Sequence, residues 1–97
     1  MSVMVFLEVQ SSDESIEQLK ATFKEILPDT RAYDGCQGVE IFDNQDDPNN
    51  LVLVEHWDSR QKYETYLGWR KETGMLNSLM SMTSAPPSIR FYDAVDA

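Results

Sequence analysis

The sequence predicts an α+β domain of the ferredoxin-like type: strand, helix, strand, strand, helix, strand (βαββαβ), folded into a four-stranded antiparallel sheet with its helices on one side. Three observations carry this. Apolar residues alternate at period two over 3–9, 36–42, 51–57 and 89–95, whereas over 16–27 they recur at helical spacing. A polar run, Asp43 to Asn50, separates the second and third strands and suits a hairpin loop. The 97 residues are too few for two independent cores, so residues 1–97 form one domain.

In the first strand Val3, Val5, Leu7 and Val9 share one face, and Met4, Phe6 and Glu8 the other. Ser11 with Glu14 three residues on has the pattern of a capping box, which starts the first helix. Its apolar stripe is Ile16, Leu19, Phe23, Ile26 and Leu27; it is expected to run to about residue 31, with Pro28 ending or kinking its regular part. Asp34-Gly35 is a turn signal leading into the second strand. In the third strand Leu51, Leu53, Glu55 and Trp57 share a face, and Val52, Val54 and His56 share its reverse. Both faces are largely apolar, so both are expected to be covered.

Asp58 or Ser59 caps the next helix, which carries Tyr63, Tyr66, Leu67 and Arg70 on one side. Thr73-Gly74 interrupts it. A second helical piece carries Met75, Leu76, Leu79 and Met80, and Ser81 to Pro87 is a loop before the strand 89–95. Helices cover one face only, which leaves Met4, Phe6, Val52 and Val54 to be covered by something else. A homodimer with sheets packed face to face is the economical solution.

Composition excludes several functions. The net charge is −9 and the eight Lys and Arg residues do not cluster, which disfavours nucleic acid and anionic membranes. No apolar run is long enough to span a bilayer, and the first residues read as a strand instead of a signal peptide. A single cysteine, Cys36, suits a reducing cytoplasm and reads as a packing residue. Asp43 to Val54 faintly follows a calcium loop, but Pro48 stands where such a loop needs glycine and Val54 where it needs glutamate. His56 is the only histidine, so no metal site is expected.

The layout, with Glu55-x-Trp57-Asp58-Ser59 closing the third strand, Asp34-Gly35-Cys36 opening the second and Pro86-Pro87 approaching the last, resembles the antibiotic biosynthesis monooxygenase family. The resemblance covers nearly the whole chain and implies a dimeric α+β barrel. It also implies a cofactor-independent monooxygenase acting on a small aromatic, anthrone or quinol. Trp57 matches a tryptophan that lines the pocket of the anthrone oxygenases and the heme-degrading enzymes, and Tyr63 matches a pocket tyrosine of the former.

The sequence departs from the family elsewhere. Leu53 replaces a substrate-contacting asparagine, Asn77 stands near the place of an arginine, and Tyr66 replaces a frequent histidine. Leu67 occupies the place of the axial histidine of the heme-degrading branch, and the first strand carries no asparagine, which argues against heme degradation. The candidate catalytic residues are therefore Trp57, Tyr63 and Asn77. Leu53, Tyr66, Phe23, Leu76 and Met80 are the candidate substrate contacts.

Chemistry of this kind needs a dry pocket, orientation and donors for a developing oxyanion, and no cofactor. Trp57 offers an aromatic face and an N–H donor, Tyr63 a hydroxyl, and Asn77 a polar contact. Glu55 becomes a base if burial raises its pKa; otherwise it is a hydrogen-bonded strand-end carboxylate. His56 faces the expected dimer interface, and Trp69 and Met75 are placed to narrow the cleft. Two other functions fit the residues: a non-catalytic ligand-binding or stress-related dimer, and an isomerase or cyclase that consumes no dioxygen.

Overall fold

In the computed structural model, which describes residues 2–97, β1 (Val3–Gln10) is the inner strand between β3 (Asn50–Trp57) and β4 (Ser88–Tyr92). β2 (Cys36–Asp43) closes the far edge, so the sheet order is β2-β3-β1-β4, with every neighbouring pair antiparallel. Helices α1 (Ile16–Arg31), α2 (Arg60–Glu72) and α3 (Met75–Met80) connect the strands. This is the ferredoxin-like α+β arrangement that the periodicity predicts.

Alternation along the strands sets what is sheltered. Val3, Val5, Val9, Leu51, Leu53, Glu55 and Trp57 are buried, as are Ile16, Leu19, Phe23, Ile26 and Leu27 of α1. The register places Trp57 beside Val3 of β1 and Cys36 of β2. Shortening one of these core leucines to alanine costs about 2–5 kcal/mol. On the reverse face Met4, Phe6, Val52 and Val54 are half-buried, His56 is exposed, and Phe42 and Tyr92 are exposed beside them.

Ser59 caps α2 by accepting the Lys62 N–H at 3.2 Å. The turn before β2 needs a glycine. Gly35 has φ +93°, and a Cβ there would lie 2.7 Å from Cβ of Lys62. Its carbonyl accepts the Asp58 N–H at 2.8 Å, which ties the start of β2 to the end of β3 directly after Trp57.

Three expectations are corrected. Ser11 does not cap α1: it pairs with Thr83 in an isolated bridge and its hydroxyl donates to Met82 O at 3.0 Å. The helix starts instead at Ile16 after a turn in which Ser15 and Ile16 N–H both reach Ser12 O. The helix runs to Arg31 as expected, but Pro28 does not end its regular part: Ala32 N–H donates to Pro28 O at 3.1 Å. β4 stops at Tyr92, the last rung of its pairing with β1, and Val95 is 84% exposed.

Candidate functional site

Between the sheet and the helices lie two adjoining chambers. The outer one, about 150 Å³, is walled by apolar groups, among them Leu7, Phe23, Leu67, Leu76, Met80 and Ile89. The inner one, about 40 Å³, shares Leu7, Phe23, Tyr63, Leu67, Leu76 and Leu79 with it and adds Leu53, Thr30, Glu55, Tyr66 and Arg70. The cleft is thus apolar at its wide end and polar at its narrow end. A larger groove of about 420 Å³ runs between α1 and the β2 edge, but it is an open surface trough flanked by Lys20, Lys24 and Arg31.

The polar end is built by periodicity. Glu55 and Trp57 are two apart on β3, so both point to the helical side. Glu55 is 3% exposed and Trp57 is 0% exposed. The indole Nε1–H of Trp57 donates to Glu55 Oε1 at 3.0 Å. Burial raises the Glu55 pKa to about 7, and the Trp57 hydrogen bond pulls the other way. The carboxyl therefore changes charge near neutrality.

On α2, Tyr63, Tyr66 and Arg70 recur at spacings of three and four and share the buried side. Burial and the Glu55 charge beside it push the Tyr63 phenol well above its ordinary pKa, so it stays a neutral donor. Arg70 is 5% exposed. Its Nε donates to the Tyr66 hydroxyl at 2.9 Å, and one terminal nitrogen donates to Ile26 O at 2.9 Å and to Thr30 Oγ1 at 3.0 Å. Thr30 Oγ1 and the Tyr66 hydroxyl are 2.6 Å apart.

Of the residues singled out from sequence, Tyr63, Phe23 and Leu76 line both chambers, Leu53 and Tyr66 the inner one and Met80 the outer. Trp57 lines neither: it reaches the site through Glu55 and through the rings of Tyr63 and Tyr66, at 5.4 and 5.0 Å between centroids. Its N–H, expected to serve a ligand, is already given to Glu55. Asn77 is exposed on α3 and lines neither chamber. Thr30 and Arg70 belong to the polar end although sequence reading assigned them no role there. The spacing of Arg70 four residues after Tyr66 was the available signal. Among the described residues no three His, Cys, Asp or Glu side chains are grouped to hold a metal ion, and no helix is long and apolar enough to cross a membrane.

The profile of the antibiotic biosynthesis monooxygenase family matches residues 2–71. The chain belongs to this family. Solved structures with the same fold include Rv0793 from Mycobacterium tuberculosis, 21% identical over 100% of this chain and 98% of that one, with a TM-score of 0.87. A provisional antibiotic biosynthesis monooxygenase from Deinococcus radiodurans is 24% identical over 98% and 94% of the two chains, with a TM-score of 0.85. A mutant of SnoaB, a cofactor-independent oxygenase from Streptomyces nogalater, is 10% identical over 99% and 95%, with a TM-score of 0.83. At these identities the likeness concerns the fold. No curated protein matches the chain. In the cleft between the sheet and α2–α3, a buried carboxyl near neutrality meets an apolar chamber.

Proposed function

We propose that this member of the monooxygenase family oxidises a small aromatic substrate with dioxygen and without a cofactor, and that Glu55 is its base. The observation that carries the reading is Glu55 itself: a carboxyl at the narrow end of an apolar cleft, titrating near neutrality. A base is most effective when its pKa lies near the working pH.

The substrate ring enters the outer chamber and its oxygen reaches the inner one. About 150 Å³ suits a single ring better than a polycyclic anthrone, since pockets for drug-sized ligands measure roughly 300–1,000 Å³. This favours a quinol among the family's substrates. Glu55 takes the hydroxyl proton, leaving an electron-rich anion. The anion donates electrons to dioxygen, and a carbon–oxygen bond forms to give a ring-bound peroxide. The O–O bond then breaks: one oxygen stays on the ring and the other leaves as water. A hydroquinone plus dioxygen becomes a hydroxyquinone plus water, so all four electrons come from the substrate. Tyr63 supplies a neutral hydroxyl to the substrate. Trp57 acts through Glu55, whose carboxylate it holds. Asn77 has no part in this reading, because it lies outside both chambers.

We also infer that the protein works as a homodimer joined through Met4, Phe6, Val52 and Val54, a half-buried apolar face that no helix covers among the described residues.

The test is dioxygen uptake with a panel of substituted hydroquinones. The reading expects uptake above the buffer rate, unchanged by chelators, and about 10²–10⁴ lower in Glu55→Gln. Uptake that is absent throughout the panel, or equal in Glu55→Gln, overturns it. Product formed without dioxygen would favour an isomerase instead.

A further inference from the structure

Arg70 is a buried cation without a counter-charge. Among the described residues no carboxylate forms an ion pair with it. It lies between the rings of Tyr66 and Trp69, at 5.4 and 4.6 Å from their centroids. Burying an unpaired charge is costly, and here only neutral groups offset it: the faces of these two rings and the hydrogen bonds to Tyr66, Thr30 and Ile26. The side chain also borders the inner chamber.

The hydrogen bonds around it can be arranged in two ways. The Tyr66 oxygen accepts from Arg70 Nε, and Thr30 Oγ1 accepts from the Arg70 terminal nitrogen. In one arrangement Tyr66 O–H donates to Thr30, whose own hydrogen reaches Ile26 O over 3.5 Å. In the other the Thr30 hydroxyl donates to the Tyr66 oxygen. That change gives up only the long contact, because Ile26 O still accepts from Arg70 at 2.9 Å. The Tyr66 O–H, with two donors on its oxygen, is then free to point into the inner chamber. A hydroxyl polarised by a neighbouring cation is a strong donor to an anion.

We propose that Tyr66 is the oxyanion donor of the cleft, that Arg70 and Thr30 position and polarise it, and that the site selects ligands whose single acidic oxygen ionises on binding: phenols and enols. This rests on the cleft reading above and names the residues that receive the charge Glu55 creates. The proton passes from the ligand oxygen to the Glu55 carboxylate, and the negative charge left on that oxygen faces Tyr66. The groups facing Tyr66 are Glu55 from β3, Tyr63 and Arg70 from α2, and Tyr33 after α1, whose ring lies 5.2 Å away. α1 itself contributes neutral Thr30, and α3 contributes Leu76 and Leu79.

The experiment uses 4-nitrophenol, a one-ring probe whose yellow phenolate band reports its own ionisation. The probe is bound at a series of pH values to the intact protein and to Tyr66→Phe, Arg70→Met and Arg70→Lys. Each is repeated in a Glu55→Gln background to remove that group's titration. The wild-type protein is expected to bind the phenolate at a pH where free probe is mostly neutral. Tyr66→Phe and Arg70→Met should each weaken the bound probe's acidity at least tenfold, and Arg70→Lys should restore part of it. A purely structural Arg70 would not move that band. If Arg70→Met fails to fold, Tyr66→Phe, which keeps the ring, carries the comparison. Probe bound as neutral phenol, or with equal acidity in wild type and Tyr66→Phe, overturns the inference and leaves the cleft reading standing. No binding at all overturns both.

Discussion

The indole of Trp57 donates a hydrogen bond to the carboxyl of Glu55, two residues away on the same face of β3 and equally sealed from water. The pair changes what the tryptophan is for. Its N–H lowers the pKa of a carboxyl that burial alone would push higher, so the two opposed effects leave Glu55 near neutrality. Trp57→Phe keeps the ring and removes the donor. A hydrogen bond to a charged group is worth about 1.5–3 kcal/mol. The acidic limb of the kcat/KM profile should therefore move up by about one pH unit or more, and activity at neutral pH should fall while activity at high pH recovers.

Glu55 also makes stability depend on pH. Its folded-state pKa lies above the value in the unfolded chain, so the folded state prefers the protonated carboxyl. The contribution is fully present below about pH 4.5 and is lost as pH rises through about 7. Each pKa step of one corresponds to about 1.4 kcal/mol. Urea unfolding of the wild-type protein should therefore lose about 3 kcal/mol relative to Glu55→Gln between pH 4.5 and 8. Taking the difference cancels the other carboxylates.

The reverse face of the sheet should behave as an interface. Val54 pairs with Phe6 across β1 and with Glu40 across β2 in the middle of that face. Val54→Asp places a charge in the proposed apolar contact. Sedimentation should show a dimer in the wild type and a folded monomer in the variant. An unchanged mass would mean that the assembly, if there is one, uses another surface.

Gly35 holds the turn that brings β2 to the end of β3. With φ +93° and a Cβ position 2.7 Å from Cβ of Lys62, Gly35→Ala should destabilise by about 1–3 kcal/mol in thermal unfolding. Gly68, where an added Cβ meets nothing within 4 Å, is the control that should tolerate alanine.

Periodicity made most of the fold legible. The stripe from Ile16 to Leu27 and the alternation in 51–57 located α1 and β3 and the face each buries. Local rules failed where long-range contacts outbid them. Ser11 has the residue pattern of a cap, yet its hydroxyl serves Met82 O, 71 residues away in sequence. Pro28 does not end the regular part of α1, which reaches Arg31, the expected limit, with Thr30 held by Tyr66 of α2.

The cleft was legible through Tyr63, Tyr66, Phe23 and Leu76, whose spacing fixes their face. The role of Glu55 was not, because a carboxyl on a strand reads alike whether it is sealed or wet. Asn77 shows the opposite problem: its number along α3 places it near the cleft, but helical rotation turns it to solvent. Arg70 falls on the Tyr63–Tyr66 side by its spacing, but a charge there usually reaches water, and the packing of α2 against α1 is what encloses it.

The most direct measurement is a carbon-13 NMR titration of the Glu55 side-chain carboxyl in the intact protein, assigned by its loss in Glu55→Gln. The account predicts a midpoint near pH 7 that rises in Trp57→Phe, which removes the donor to the carboxylate, stays in place in Tyr63→Phe, which removes none, and moves when 4-nitrophenol binds. A midpoint near 4.5, unmoved by the probe, would contradict it.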